Sequence, residues 1–224
     1  VQIMGVSAVT IRQDLNHLEA EGFLKRVHGG AIFKSTDDIS NRLGINYEKK
    51  LRIALKAAAF VHEGDTILIE SGSANAILAR ELSKKDGINI VTSNVFIARE
   101  LKKSKHTKVI LLGGLYQHES ESLVGKLTKL GMENINFSKS FIGVDGFTIE
   151  SGFTSTDMMR AEIALSIVKK SKEVFIITDS SKFGRIELTN LFDVNDINYV
   201  ITDDGIPEKD KLFLEKNGAK VIIA

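Results

Sequence analysis

Seven short, nearly uninterrupted apolar runs punctuate the sequence, at residues 66–69, 88–91, 109–112, 140–143, 174–177, 199–201 and 220–223. A strand covered on one face alternates apolar with polar side chains, whereas a strand buried on both faces of a parallel sheet is apolar throughout. Between the runs, apolar residues recur at helical spacing around 47–62, 74–84, 95–103, 122–134, 156–171 and 207–217. In the first of these Leu51, Ala54, Ala58 and Val61 share a face. The last opens at Pro207, suited to a first helical turn, and closes at Gly218, suited to the left-handed position beyond a helix end. Strands alternating with helices predict an α/β, Rossmann-type fold over 47–224, with ligands in the crevice beyond the carboxyl ends of the strands.

Composition narrows the function classes. The 224 residues are 43% apolar and 26% charged, as in ordinary globular proteins. No apolar stretch approaches the roughly 18 residues of a membrane span, and no signal-peptide pattern opens the chain, so no membrane partner and a cytoplasmic location are expected. The chain has no cysteine, which removes disulfide scaffolds and thiolate metal sites. Thirty Lys and Arg against 29 Asp and Glu leave a net charge of +1, a balance that neither favours nor disfavours a polyanion. Helical periodicity lapses between about Ala31 and Asn46 around Lys34-Ser35-Thr36-Asp37-Asp38. That composition predicts a linker at 35–46 between an N-terminal unit, 1–34, and a larger domain, 47–224.

In the N-terminal unit, Gly5-Val6-Ser7 reads as a turn with Ser7 as N-cap, followed by an amphipathic helix. Ile11, Leu15 and Leu18 stack on one face; Val9, Gln13, Asn16 and His17 point away, with Thr10 and Arg12 on the flanks. A major-groove reader needs such groups: glutamine bonds an adenine edge, arginine a guanine edge, and valine touches a thymine methyl. The candidate DNA contacts on this helix are Ser7, Thr10, Arg12, Gln13 and Asn16. After Gly22 and Phe23, a short strand and turn present Lys25, Arg26 and His28 for phosphates. A surface helix with a solvated face has the same spacing, and charge does not choose between the two. Residues 1–34 hold four Lys or Arg (Arg12, Lys25, Arg26, Lys34) and three acids (Asp14, Glu19, Glu21).

In the larger domain, five loops follow strand-like runs. Ser71-Gly72-Ser73 leads into a helix, where free N–H groups and the helix dipole can converge on an anion, or simply make a turn. Thr92-Ser93-Asn94 repeats the arrangement, or caps its helix. Gly113-Gly114 lets a ligand approach the backbone, or permits a turn. Asp145-Gly146 offers a carboxylate to sugar hydroxyls, or a solvated turn acid, and Lys182 in Asp179-Ser180-Ser181-Lys182 offers a counter-charge to phosphate. Together they make a hydroxyl-rich, glycine-lined rim suited to a small phosphorylated polyol. His62, His106 and His118 share no metal-ligand spacing, and Walker, dinucleotide and nucleophile-elbow motifs are absent, so no metal, cofactor or catalytic residue is expected.

Two sets of residues carry a family resemblance. Val6-Ser7, Thr10-Ile11-Arg12, Asp14-Leu15, Leu18-Glu19, Gly22 and Arg26 through Ala31 resemble the winged helix-turn-helix signature of the DeoR family of bacterial transcriptional regulators. Gln13 stands where the family usually has a second arginine. The family's first helix and most of its second would precede Val1, with Val1–Met4 as the tail of the helix before the turn. The resemblance thus implies a truncated N-terminal winged helix-turn-helix that binds DNA weakly. Glu48-Lys49, Ile53-Ala54, Gly64 through Ile67, Ser71-Gly72-Ser73, Thr92-Ser93-Asn94, Gly113-Gly114, Phe141-Ile142-Gly143, Asp145-Gly146, Glu162 and Asp179 through Lys182 are similar to the DeoR-type sensor. Ser73-Ala74 departs from the two threonines common there. The resemblance implies a ribose-5-phosphate-isomerase-like Rossmann-type sensor domain with a sugar-phosphate effector. Double-stranded operator DNA and other copies of the chain, as a dimer or tetramer, are the implied partners.

The competing reading is a sugar-phosphate isomerase, which needs a carboxylate base and a cation for the enediolate. Glu162, Asp145 and Lys182 supply those types, yet the related isomerases carry a lysine near Ser151-Gly152-Phe153-Thr154, and none occurs from Thr148 to Ile163. The expected protein is therefore a repressor of sugar-metabolism genes and not an enzyme. Glu162 is expected to hold a sugar hydroxyl or to pair with Arg160 or Lys182.

Overall fold

The structure is a computed structural model, and it describes residues 7–20, 24–33 and 37–224. The expected helix tail at Val1–Met4, the turn residues Gly5 and Val6, Gly22 and Phe23, and Lys34 through Thr36 lie outside the described residues. Helix α1 (Ala8–Ala20) and a hairpin of β1 (Leu24–Val27) and β2 (Gly30–Phe33) form the N-terminal unit. Two helices, α2 (Ile39–Gly44) and α3 (Tyr47–Ala58), lead into β3 (Thr66–Ile69), α4 (Ser73–Leu82), β4 (Ile88–Thr92), α5 (Val95–Glu100) and β5 (Thr107–Leu111). A second hairpin, β6 (Leu115–Gln117) and β7 (Ser122–Val124), precedes α6 (Lys126–Glu133) and β8 (Lys139–Ile142). Then come β9 (Gly146–Thr148), β10 (Gly152–Ser155), α7 (Met158–Lys170) and β11 (Glu173–Ile177). The last elements are β12 (Thr189–Asn190), β13 (Tyr199–Thr202), α8 (Glu208–Lys216) and β14 (Lys220–Ile223).

All seven apolar runs are strands of one sheet, in the order β14-β13-β11-β8-β3-β4-β5 with every neighbouring pair parallel. Because side chains alternate across a strand, Ile67 and Ile69 face one layer, with Ile53, Ala54 and Ala57 of α3 and Ile77 of α4. Leu68 faces the other layer, with Ile142, Ile176 and Ile163 and Ile167 of α7. Phe141, Phe175 and Tyr199 stand opposite one another on adjacent strands and stack at 4.9 and 4.5 Å between ring centroids. Both faces are therefore dry over the five inner strands, which is why their runs are continuous, whereas the edge strands β5 and β14 are largely exposed.

From β3 the chain winds outward through β4 to β5, then returns to the other side of β3 and winds outward again through β8, β11, β13 and β14. The strand order thus reverses between β3 and β8. Loops after those two strands leave in opposite directions and open a crevice at their carboxyl ends.

Three local expectations are corrected. The stretch 35–46 is not a linker throughout: Asp38 accepts from the N–H groups of Ser40 and Asn41 and starts α2, and Ile39 and Leu43, one turn apart, are buried in the core. Polar composition hides this helix because it buries only two side chains. Residues 122–134 begin as strand β7, with the helix starting at Lys126. Pro207 caps α8 in an extended conformation (φ −61°, ψ 134°) instead of occupying its first turn. The three-stranded antiparallel sheet β12-β10-β9 is an addition that short, half-polar segments do not announce.

If α2 is part of the core, Leu43→Ala should cost about 2 kcal/mol or more in urea denaturation, the usual penalty for emptying a buried leucine site. A change near zero would return this segment to the status of a linker.

Candidate functional site

The crevice at the reversal holds a cavity of about 370 Å³. Its floor is the loop after β3, Ser71-Gly72-Ser73, running into α4. Gly72 sits at φ +100°, a conformation side chains resist, and this turns the backbone so that α4 begins at Ser73. The Gly72 carbonyl accepts from the Ala76 N–H, so the N–H groups of Ser73, Ala74 and Asn75 have no partner within the helix. Gly143, after β8, lies so near that a Cβ there would come within 3.1 Å of the Ser71 carbonyl oxygen. Asn75 locks the two loops by donating to the carbonyls of Ser71 (2.7 Å) and Phe141 (3.2 Å).

Four cationic residues, Arg42, Lys50, Lys182 and Arg185, line this cavity against a single carboxylate, Asp179. Lys182 makes no side-chain hydrogen bond or ion pair among the described residues. Burial, aided by the neighbouring Arg42 charge, pushes its ammonium below the usual range, against the pull of Asp145 and Asp179. Burial likewise lowers Lys50 to about 8, opposed by Asp179, and its Nζ donates to the carbonyls of Arg42 (2.6 Å) and Ile45 (2.7 Å). A second small cavity of about 30 Å³ adjoins through Arg42, Ser71, Gly72 and Gly143, and Glu70, Asp145 and Arg160 also line it. Burial raises the Asp145 carboxyl, but Arg42, Lys182, the Thr156 N–H and Arg160 outweigh it and hold the group at about 2. Burial pushes the Glu70 carboxyl up despite the bond it accepts from Ser71 Oγ at 2.6 Å.

Of the sequence-derived effector residues, Ser71, Gly72, Ser73 and Lys182 line the main cavity and Asp145 the small one. The others line neither. Thr92 ends β4 and Ser93 and Asn94 follow it, on the far side of β3 from β8. Asn94 caps α5 by accepting from the Ile97 N–H (3.0 Å) and donates to the Ser120 carbonyl (2.8 Å). Gly113 accepts from Thr128 Oγ1 at 2.8 Å, and a Cβ on Gly114 would collide with that hydroxyl. Gly146 lets the Arg185 carbonyl oxygen approach to where a Cβ would be 2.5 Å away. Glu162 points off α7 into solvent and pairs with Lys129 at 2.7 Å, not with Arg160 or Lys182. Composition misses Arg42 and Asn41 because they ride on the unrecognised α2. Lys50 carried a signal, since it shares a helical face with Ile53, Ala54 and Ala57.

In the N-terminal unit, Ser7 Oγ accepts from the Thr10 N–H at 3.1 Å and caps α1. Thr10, Arg12, Gln13 and Asn16 are exposed, as are Lys25, Arg26 and His28 on the hairpin. Arg26 ties the two together: its guanidinium donates to Asn16 Oδ1, and its N–H donates to Glu19 Oε1 at 2.7 Å. An exposed polar helix face beside a basic hairpin tip is the arrangement of a helix that enters a groove with a wing on the phosphates.

Residues 45–204 match the DeoR C-terminal sensor domain, and residues 1–37 match the DeoR-like helix-turn-helix domain. The chain belongs to the DeoR family. Among its relatives, the HTH-type transcriptional regulator FruR of Bacillus subtilis is 33% identical over 91% of this chain and 82% of its own length. The lactose phosphotransferase system repressor of Streptococcus mutans is 32% identical over 91% of this chain and 83% of its own. Among solved structures, eIF2B delta of Chaetomium thermophilum overlaps with a TM-score of 0.51 at 18% identity, over 72% of this chain and 57% of that one, a likeness of fold alone. The ribose 5-phosphate isomerase of Methanocaldococcus jannaschii overlaps with a TM-score of 0.45 at 15% identity, over 62% of this chain and 55% of that one. This DeoR-family chain is a DNA-binding transcriptional regulator and not an enzyme. Among the described residues no helix is long and apolar enough to cross a membrane.

The depressed Asp145 value has a readable consequence. A carboxyl at about 2 in the fold against an ordinary 3.8 contributes stability that is complete above the ordinary value and is lost as pH falls toward the folded one. Asp145→Asn should flatten the acid limb of stability measured by urea denaturation between pH 5 and 2, leaving the parts due to Asp203, also held at about 2, and to Asp65 and Asp179, which are lowered as well. An unchanged limb would mean that Asp145 is not held by its cations.

Proposed function

We propose that the cationic cavity binds a phosphorylated sugar, and that its occupancy sets the affinity of the helix-turn-helix unit for operator DNA in front of sugar-metabolism genes. The observation that carries this is the meeting of N–H groups at the start of α4, which have no partner within the helix, with Lys182, Arg42, Lys50 and Arg185 in one open-mouthed cavity. A phosphate dianion is the small ligand that matches both the dipole and the charge. About 370 Å³ suits a sugar of a few carbons at the lower end of ordinary ligand pockets. Asn41, Asn46 and Ser181 line the remaining wall with hydrogen-bonding groups for hydroxyls.

The relative named as a lactose phosphotransferase system repressor supports repression of sugar genes as the direction of control. Operators read by paired recognition helices need two-fold related half-sites, so the working form is a homodimer or a larger even assembly in the cytoplasm. The residues proposed to touch DNA are Ser7, Thr10, Arg12, Gln13 and Asn16 on the helix and Lys25, Arg26 and His28 on the wing. We assign the reading function to 1–34 and sensing to the remainder, with Arg42 and Lys50 joining Lys182 as effector contacts.

A thermal-shift panel of phosphorylated sugars beside their unphosphorylated parents tests the reading. A true effector at about 100 times its Kd should add about 2.7 kcal/mol, the parent sugar little, and Lys182→Ala should abolish the gain. The same effector should change operator affinity in a gel shift. A panel without any phosphate-dependent stabilisation would sink the proposal, and a full shift in both Lys182→Ala and Arg42→Ala would place the ligand elsewhere.

Acid–base behaviour supplies a separate check. Because Lys50 titrates at about 8 in the fold, raising the pH through that value removes one cation from the cavity wall. Effector affinity measured by calorimetry should therefore fall above pH 8, and Lys50→Met should remove that part of the pH dependence. A flat profile in the wild-type chain would count against Lys50 as a contact.

A further inference from the structure

Asp37 is the first described residue after the N-terminal hairpin, and it is held by ionic contacts that continue into the cavity wall. Asp37 accepts from Arg160 Nη1 at 2.6 Å and from Arg42 Nη1 at 3.3 Å. Arg42 gives its other terminal nitrogen to Asp145 at 3.0 Å. Thr156 closes the circuit: its hydroxyl contacts Asp145 Oδ2 at 3.0 Å and accepts from Arg160 Nη2 at 3.0 Å. Arg42 is also the one side chain of this circuit that lines the main cavity.

We propose that Arg42 is shared between the interdomain joint and the cavity, so that an anion bound in the cavity draws Arg42 off Asp37 and loosens α2 where the DNA-binding unit joins the sensor. A guanidinium grips phosphate best with two adjacent N–H groups along one edge of a rigid plane. Both terminal nitrogens of Arg42 already donate to carboxylates, so a phosphate that takes the edge formed by those two nitrogens competes with the carboxylates for Arg42. The 3.3 Å contact to Asp37 is the longer and weaker of the two. Its loss removes one side-chain tie from the start of α2, while the Asp38 cap, the buried Ile39 and the Ile39 N–H bond to the Glu119 carbonyl at 3.2 Å remain. The device rests on the cavity being the effector site. It adds the contact through which occupancy is felt at the joint, and coupling of this kind is reciprocal: if a bound anion weakens the Arg42–Asp37 contact by some factor, the contact weakens anion binding by that same factor.

The test uses the whole chain with inorganic phosphate as probe. Amide exchange is followed by mass spectrometry, and phosphate affinity by calorimetry, in the wild type and in Asp37→Asn. Phosphate should slow exchange at Ser73–Asn75 and at the same time speed it at Ile39–Arg42 in the wild type. Asp37→Asn should show fast exchange at Ile39–Arg42 without phosphate, little further change with it, and phosphate affinity raised about fivefold or more. Loss of the Asp37 charge raises anion affinity by itself, so exchange decides: phosphate that still speeds exchange at Ile39–Arg42 in Asp37→Asn as it does in the wild type overturns the proposal. Binding to the wild type that protects Ser73–Asn75 while leaving Ile39–Arg42 unmoved also overturns it, and this arm stands even if Asp37→Asn fails to fold. If neither phosphate nor any sugar phosphate binds the wild type, the cavity reading itself falls, an outcome distinct from binding without release.

Discussion

A parallel sheet must be covered on both faces, because its crossover helices have nowhere else to pack. In this chain one side of β3 is reached on the way out and the other on the way back. That reversal between β3 and β8 is the constraint on which the rest depends. It sends the chain after β3 and after β8 to different layers of the sheet, while Gly72 and Gly143 lie close together where the two loops leave their strands. Helix α4, buried on almost every side, then aims its N-terminus into the gap. Nothing in that geometry is specific to a ligand; it supplies a polar hollow above a dry sheet.

Charge makes the hollow selective. Bringing Lys50, Lys182, Arg42 and Arg160 out of water is costly unless carboxylates stand nearby, and the chain provides Asp37, Asp145 and Asp179 for that purpose. The pairing is uneven by design of the fold. Arg160 and Arg42 are engaged with carboxylates, Lys50 leans on backbone carbonyls, and Lys182 has only longer-range neighbours. The surplus positive potential therefore falls over the start of α4, where the N–H groups that have no partner within the helix already favour an anion. The same carboxylates connect the site to the segment that enters the sensor from the DNA-binding unit.

What could be read without coordinates followed the strength of the local signal. The seven apolar runs are all strands, five of them because strands buried on both faces need unbroken apolar sequence, and Ser71-Gly72-Ser73 was visible as a strand-to-helix turn. Lys182 was visible as a cation in a loop after a strand. Thr92-Ser93-Asn94 and Gly113-Gly114 carry the same local signal but follow strands on the far side of the reversal, so they cap and pack instead of facing the cavity. Glu162 has the chemistry of a hydroxyl acceptor and the wrong face of α7. Arg42 was hidden because Asp37 through Asn46 looks like solvated chain until Ile39 and Leu43 are seen docking on the core.

The sequence by itself determined the class of fold, the existence of a helix and wing at the N-terminus, and the family, since these rest on periodicity and on short motifs that act within a few residues of chain. Only the tertiary structure decided which loops share a cavity and which carboxylate each cation meets. Those contacts join residues as far apart as Asp37 and Arg160, or Arg42 and Asp145. No local pattern encodes such a pairing, because it depends on strand order, and strand order is settled by how the whole sheet is wound and covered.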